Sequence, residues 1–249
     1  MRNGFCKLKR SVFVFIALIF VAGCMNNSSF LTPHSSLYKI ASDFIGTPYQ
    51  LDPLGEGAGA PIDSDPIYRT DVFDCTTFVE TVLARATGTD LQKIRYQGGR
   101  IDWFNRNHWM ETEWIPNAVE LGLITPVRYG HTGRTRAIVD MNAWVRHRTG
   151  LDIYSYPFSM SMRMIPRANF NSYMVRQMPN PSVIFFVRCR INNDFVTGDM
   201  ITHMGLLFGE YMIHAGRAHG VQKINVVEYI RTNRQFCGVI IYEIVNSNQ

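Results

Sequence analysis

The stretch Asp74-Cys75-Thr76-Thr77-Phe78 has the features of a helix start with a cysteine inside it. Asp is a favoured N-cap residue, and the apolar residues that follow recur at helical spacing until Gly88. Cys75 is therefore predicted at the first position of a helix. Unpaired backbone N–H groups and the positive end of the helix dipole favour a thiolate there, which predicts a thiol pKa below its usual ~8.5. The alternative interpretation is a buried structural cysteine.

Two histidines lie on strands that the sequence predicts to form one hairpin. Residues 200–208 and 211–216 are rich in apolar and aromatic side chains, and the intervening Gly209-Glu210 suits a two-residue type II′ turn. In that register His203 and His214 project from the same face as diagonal neighbours, with Cα atoms ~7–8 Å apart. A three-residue turn would place them on opposite faces.

A cysteine, a histidine and a second polar group can act as nucleophile, general base and orienting group. We therefore interpret Cys75, His203 and His214 as a candidate catalytic set, although each alone is more often structural. A Zn²⁺ site built from the same residues has suitable ligand types, but no Cys-x₂-Cys or His-Glu-x-x-His spacing supports it. We expect neither a metal nor a cofactor.

These motifs, with Gly46-Thr47-Pro48-Tyr49 upstream, resemble the NlpC/P60 superfamily of papain-like cell-wall hydrolases. Within it the chain is most similar to the DUF1460 branch of N-acetylmuramoyl-L-alanine amidase-like proteins. Four further motifs recur in the order of that branch, and they are Ile94-Arg95-Tyr96, Arg106-Asn107-His108-Trp109, Glu113-Trp114-Ile115 and Ile165-Pro166-Arg167. The resemblance covers the chain from about Ser36 to Ile244. It departs in residues 52–65, interpreted as a loop of this protein's own, and in Gly198-Asp199, a loose counterpart of a superfamily motif.

The resemblance implies an α+β, papain-like NlpC/P60 fold, with the nucleophile helix packed on an antiparallel sheet. It implies hydrolysis of the amide between N-acetylmuramic acid and L-alanine in peptidoglycan fragments, through a thioester on Cys75. His203 would transfer the protons and His214 would orient it. Candidate substrate contacts at matching positions are Tyr49, Asp74, Arg95, Tyr96, Arg106 and His108. Two alternatives stay open, namely a γ-D-glutamyl-diaminopimelate endopeptidase and a non-catalytic cell-wall-binding lipoprotein.

The order of predicted elements also indicates an α+β class, with helices first and strands later. Helices are expected at about 35–45, 75–87 and 113–121, with short ones at 142–147 and 169–177. Strands are expected from Val183 to the end of the chain.

The first residues predict export. Four basic residues precede an apolar run at 12–22, which is shorter than the ~20 residues needed to span a bilayer. Val21-Ala22-Gly23-Cys24 has the form of a bacterial lipobox, which predicts a signal peptide at 1–23, lipidation of Cys24, a tether at 24–34 and a catalytic domain at 35–249. Met25 after the lipidated cysteine resembles a Gram-negative outer-membrane sorting signal, so we expect a lipid-anchored periplasmic protein. An ordinary cleaved signal peptide is the alternative.

Charge and cysteine content narrow the expected partners. The net charge is +5, but the leader holds four basic and no acidic residues, so the mature chain carries only about +1. Without basic runs, nucleic-acid binding is disfavoured. We expect a monomer that binds peptidoglycan or muropeptide fragments and contacts the membrane through its lipid.

Cys189 and Cys237 could form a disulfide in an oxidising compartment, but the simpler interpretation is two buried core cysteines.

Overall fold

The protein is described here by a computed structural model covering residues 33–129, 133–152, 158–189 and 200–245. The predicted leader, Cys24, most of the tether and Gly198-Asp199 lie outside these residues. The helices are α1 Pro33–Asp43, α2 Cys75–Thr87, α3 Leu91–Arg95, α4 Ile115–Glu120, α5 Met141–Thr149, α6 Ser172–Val175 and α7 Val226–Thr232. The strands are β1 Ile124–Pro126, β2 Gly133–Val139, β3 Phe158–Pro166, β4 Ser182–Arg188, β5 Ile201–Phe208, β6 Tyr211–Gly216, β7 Gly220–Asn225 and β8 Phe236–Ile244.

Helix α2 begins and ends where the sequence predicts. The Asp74 side chain accepts a hydrogen bond from the Thr77 backbone N–H at 2.7 Å, and the Asp74 backbone N–H donates to Thr77 Oγ1 at 3.0 Å. This capping box pairs two N–H groups that a helix start otherwise leaves free. Gly88 ends the helix with a left-handed φ of 74°. The predicted apolar stripe is buried, and Phe78 and Val82 are fully inside.

The strands form one antiparallel sheet in the order β2-β3-β8-β4-β5-β6-β7, and β1 pairs with β8. Strand β4 is central and buried on both faces. Its residues alternate between two cores, because side chains along a strand point to opposite faces. Phe185 packs in the core beneath α1 and α2, whereas Phe186 packs in the core that includes α7. The predicted α+β class is confirmed.

The β5–β6 hairpin follows the predicted register. Phe208 pairs with Tyr211, and Gly209 has a φ of 59°, as the first residue of a two-residue type II′ turn requires. This turn fixes which residues of the two strands share a face.

Helix α3 was not predicted, and further regions also differ from the predicted elements. Strands β1, β2 and β3 precede Val183, where no strand was expected. Strand β3 joins β8 through only two residue pairs, so β2 and β3 extend the sheet at its margin. Helix α7 interrupts the predicted run of strands, because Asn225 caps it by accepting from the N–H groups of Val227 and Glu228.

Cys189 and Cys237 form a disulfide, with Cα atoms 4.7 Å apart. The prediction of two separate core cysteines is therefore wrong. Strands β4 and β8 pair antiparallel and bring the two residues to the same end of the sheet, and each remains only partly buried. Among the described residues, no helix is both long and apolar enough to span a membrane.

Candidate active site

The cysteine of the opening motif lies where helix α2 meets strand β5. Cys75 is the first residue of α2 and packs against the buried core cluster that includes Met204. Met204 directly follows His203 on β5. Cys75 is partly exposed and is the free cysteine of the described part of the chain. The fold thus brings the candidate nucleophile against the strand that carries the candidate base.

The electrostatic state of Cys75 differs from the sequence prediction. Burial raises the pKa of the Cys75 thiol to about 12, and the neighbouring Asp74 carboxylate acts in the same direction. Hydrogen bonds from the Thr76 hydroxyl and the Met204 amide oppose this shift without reversing it. The predicted lowering of the thiol pKa is therefore wrong, because desolvation of a thiolate outweighs the favourable helix terminus. At neutral pH the thiol is protonated.

The two histidines are in direct contact. His203 Nε2 lies 2.7 Å from His214 Nδ1, and the ring planes are nearly perpendicular at 82°. The prediction that both project from one face of the hairpin is confirmed. Glycines leave room for the pair, since a Cβ atom at Gly205 would lie 3.0 Å from His214 Cβ and one at Gly216 would lie 3.1 Å from His214 Cε1.

Both imidazoles are neutral at pH 7. Burial lowers the pKa of His203 to about 3, with the His214 charge adding to the effect, and burial lowers the pKa of His214 to about 4. Because Nε2 of His203 is bonded to His214, Nδ1 is the nitrogen left to exchange a proton. For Nδ1 to accept one, the proton of neutral His203 must be on Nε2 and be donated to His214 Nδ1. His214 then carries its own proton on Nε2, which meets no acceptor among the described residues.

Two tyrosines border this set. The Tyr229 ring centroid lies 5.9 Å from that of His203 and 5.0 Å from that of His214, and burial together with the Cys75 charge raises the Tyr229 pKa to about 12. Tyr229 was not predicted, because α7 was expected to be strand. Burial and then the Cys75 charge likewise raise the pKa of Tyr49 to about 12, and the Arg217 side chain hydrogen-bonds to it. Tyr49, which the sequence predicted as a substrate contact, is thus close enough to Cys75 for the two to interact electrostatically. Arg217 was not predicted, because no motif in the sequence marks it.

The branch-like residues Arg106 and Tyr96 hold the 52–65 loop. Arg106 is buried and pairs with Asp52 at 3.2 Å, with Glu56 at 2.7 Å and with Asp63 at 2.6 Å. The hydroxyl of fully buried Tyr96 donates to the Gly55 carbonyl at 3.1 Å. Arg106 and Tyr96, both predicted as substrate contacts, therefore bind the protein's own 52–65 loop in the structure.

Arg95 and His108 are also held by the protein. Arg95 is buried, donates to the Leu54 carbonyl at 3.0 Å and lies 3.5 Å from the Glu80 carboxylate. Burial raises the pKa of Glu80 to about 7. His108 Nε2 donates to the Trp103 carbonyl at 2.8 Å, and burial lowers the His108 pKa to about 3.

A cavity of about 320 Å³ is lined in part by residues at the start of α2, although Cys75 itself is not among its lining residues. The lining includes Asp74 and Thr76, the two neighbours of Cys75 in the chain, and Trp144 and Arg148 on α5. Arg95, Arg106 and His108 also line it. Within the described ranges, no group of three or more His, Cys, Asp or Glu side chains is arranged to hold a metal ion.

Comparison with known proteins agrees with this architecture. The family model described as AmiA-like, N-acetylmuramoyl-L-alanine amidase-like, matches residues 39–236. A Legionella pneumophila crystal structure assigned to family model DUF1460 has a TM-score of 0.72 at 22% identity, covering 86% of this chain and 89% of that chain. A Bacteroides uniformis N-acetylmuramoyl-L-alanine amidase has a TM-score of 0.65 at 19% identity, covering 85% of this chain and 98% of that chain.

A candidate xylanase from Bacteroides fragilis has a similar fold, with a TM-score of 0.61 at 21% identity over 83% of this chain and all of that chain. At these identities the solved structures show a shared fold alone. No curated protein matches the sequence at a significant level.

Proposed function

Since the chain belongs to the AmiA-like, N-acetylmuramoyl-L-alanine amidase-like family, we propose that it is a peptidoglycan amidase with Cys75 as its nucleophile. The bond cut is the amide between the lactyl group of N-acetylmuramic acid and L-alanine. Family membership supports the reaction class. The observation that supports the residue assignment is the 2.7 Å contact between His203 and His214 on strands β5 and β6, against which α2, beginning at Cys75, packs.

The first step is attack by a thiol that is still protonated. Because the Cys75 pKa is about 12 and that of His203 about 3, proton transfer from Sγ to His203 Nδ1 accompanies formation of the carbon–sulfur bond. The lactyl carbonyl oxygen takes the negative charge. The backbone N–H of Cys75, at the start of α2, is available to stabilise that oxyanion. His214 Nδ1 accepts from Nε2–H of the imidazolium and stabilises it.

In the remaining steps His203 first passes the thiol proton to the leaving amine and then takes a proton from water. The carbon–nitrogen bond breaks while His203 Nδ1–H protonates the departing L-alanine amine, leaving a thioester on Cys75. A water molecule then attacks the thioester as His203 accepts its proton. As the carbon–sulfur bond breaks, His203 Nδ1–H passes the proton taken from water to Sγ, which releases N-acetylmuramic acid and regenerates the neutral thiol and imidazole.

The test is mass spectrometry of two defined substrates after incubation with the mature protein. N-acetylmuramoyl-L-Ala-γ-D-Glu-diaminopimelate should yield a tripeptide with a free L-alanine N-terminus, and the sugar-free tripeptide should stay intact. Cleavage of the sugar-free tripeptide would instead establish the endopeptidase alternative. Binding of both substrates without turnover would establish a non-catalytic wall-binding protein.

We further propose that the fold is of the NlpC/P60, papain-like type, and that the protein is a monomer anchored by lipid at Cys24 in the periplasm, at the outer membrane. The helix-borne cysteine beside a histidine strand supports the first statement, and the lipobox supports the second. Wild-type protein should incorporate labelled fatty acid and fractionate with outer membranes, whereas Cys24→Ser should do neither. A soluble, unlabelled wild-type protein would support an ordinary signal peptide.

A further inference from the structure

Another cavity, of about 360 Å³, lies between the turn that follows β3 and the C-terminal end of α7. Three arginines contribute the charge of its lining, Arg167, Arg231 and Arg234. Phe170 and Ile230 also line it, and because both are almost wholly buried in the core that includes α7, they give the cavity an apolar floor. The proposed catalytic set lies outside this lining, so the cavity is separate from the candidate active site.

The positive charge of this cavity is not balanced by the protein. The described residues that line it include no carboxylate, and none of its arginines forms an ion pair in the described part of the chain. By contrast, Arg176 on the surface pairs with Glu210 at 2.7 Å. Like charges that share one concave site repel each other, so an anion that enters the cavity is attracted by all three guanidinium groups.

Arg167 shows most clearly that a partner is missing. This residue belongs to the motif Ile165-Pro166-Arg167, and its Nη1 is shielded from solvent and meets no hydrogen-bond acceptor among the described residues. A buried donor without a partner is costly, so the arrangement favours an acceptor supplied from outside. Arg231 lies in the last turn of α7, where the negative end of the helix dipole stabilises a cation. That effect explains one of the three arginines and leaves the buried Nη1 of Arg167 without an explanation.

The chemistry of the lining selects among anions. A guanidinium group donates in a fixed fork that matches the oxygens of a carboxylate or a phosphate. A single carboxylate neutralises only one of the three charges, whereas a phosphate monoester carries close to two negative charges at pH 7 and offers three acceptor oxygens. The cavity lies at the lower end of the volumes of small-molecule sites, which suits a phosphate group with a small attached group.

We propose that this cavity binds a phosphate group, with Arg167 as its buried anchor and the exposed Arg231 and Arg234 as the contacts at its mouth. Free phosphate and a lipid headgroup that carries a phosphate monoester present the same oxygens, and they are the two sources of such a ligand. The inference does not depend on the proposed amidase function, because it concerns a different cavity.

Isothermal titration calorimetry of the mature protein with inorganic phosphate tests the site. Wild type should bind one phosphate per chain, and Arg167→Gln should weaken binding by about tenfold or more, because charge-assisted hydrogen bonds are lost. Arg231→Gln should also weaken binding, and it decides the result if Arg167→Gln does not fold, because Arg231 is exposed. Arg134→Gln on β2 is the matched control, since it removes the same charge from an exposed arginine that does not line the cavity.

A second titration, with dihexanoyl phosphatidic acid below its micelle-forming concentration, distinguishes the two sources. Tighter binding of this lipid than of inorganic phosphate would identify a headgroup site, and equal or weaker binding would identify a site for free phosphate. No binding of either probe would overturn the inference. It would also be overturned by an equal loss of affinity in Arg134→Gln, by unchanged affinity in the folded cavity variants, or by acetate binding as tightly as phosphate.

Discussion

At Cys75 two opposing effects act on one sulfur atom. The helix terminus favours a thiolate, whereas burial and the Asp74 charge favour the thiol, and the resulting pKa is about 12. The histidines opposite are neutral as well. The resting site is therefore a neutral thiol with a neutral imidazole, and charge appears only as the reaction begins.

Alkylation of Cys75 by iodoacetamide measures this state directly. At pH values well below a pKa of about 12, the thiolate fraction rises about tenfold for each unit of pH. The rate of alkylation should therefore increase about tenfold per pH unit from pH 7 to pH 10, without a plateau. Peptide mass spectrometry assigns the label to Cys75, and Cys75→Ala gives the background. A rate that is already constant above pH 7 would show a preformed thiolate and contradict the neutral resting state.

The histidines should differ in their response to substitution. His203→Ala removes the group that takes and returns the proton, so kcat/KM should fall by about 10²–10⁴. His214→Gln retains an oxygen that can accept from His203 Nε2–H and should keep a measurable fraction of activity, with His214→Ala as the control that keeps none of that hydrogen bond. Turnover by His203→Ala at the wild-type rate would remove His203 from the mechanism.

Residue periodicity explains which of these positions could be predicted. His203 and His214 follow from the two-residue turn and the period of two along a strand, so local sequence was sufficient. Tyr229 and Arg217 could not be predicted, because the nearness of Tyr229 to Cys75 and of Arg217 to Tyr49 depends on how α7 and the residues after β6 pack against distant elements. The thiol pKa was mispredicted for a similar reason, since burial is a property of the whole fold.

At the scale of single elements, the start of α2 has both a structural and an electrostatic role. Asp74→Asn keeps an N-cap acceptor but removes the negative charge beside the sulfur, so stability should change little while alkylation of Cys75 at pH 8 becomes faster. Asp74→Ala removes the cap as well and should lower the free energy of unfolding by about 0.5–2 kcal/mol relative to Asp74→Asn.

Chemical denaturation and alkylation rates measure the two effects separately. Both variants lose the hydrogen bond from the Asp52 backbone N–H to Asp74. The difference between their free energies of unfolding therefore measures the contribution of the helix cap alone. Equal stability of the two variants would show that the cap contributes nothing. Unchanged alkylation in Asp74→Asn would show that the carboxylate does not influence the thiol.

Element prediction succeeded where the local signals were complete and failed where they were ambiguous. Helix α2 has a cap, an apolar stripe and a terminal glycine, so its bounds were predictable. Strand β2 carries Arg134 and Arg136 and pairs at the sheet margin, which leaves it without a clear apolar pattern. Helix α7 begins with two valines that favour strand, and the Asn225 cap decides its conformation.

At the scale of the whole molecule, the disulfide ties together residues 48 positions apart. Closing a loop of that length restricts the unfolded chain, so the double variant Cys189→Ala/Cys237→Ala should lose about 2–4 kcal/mol of unfolding free energy. Because neither residue is in the proposed catalytic set, the folded variant should keep its amidase activity at 25 °C.

Reduction of wild type with dithiothreitol is the matched control for the disulfide and should give the same denaturation midpoint as the double variant. An unchanged midpoint would show that the bond does not contribute to stability. Loss of activity in the folded double variant would show that the bond shapes the active site. The sequence left this pairing only as an alternative, because its formation depends on β4 and β8 being neighbours across the sheet.

The proposed mechanism requires Cys75 to form a thioester with the muramyl acyl group. The most direct measurement is mass spectrometry of the Cys75-containing peptide from an acid-quenched reaction with N-acetylmuramoyl-L-Ala-γ-D-Glu-diaminopimelate. We predict a hydroxylamine-sensitive adduct with the mass of the N-acetylmuramoyl group in wild type, and neither adduct nor turnover in Cys75→Ala. Release of the L-alanine-terminated tripeptide by a folded Cys75→Ala protein, or an adduct with the mass of a stem-peptide acyl group, would contradict the claim.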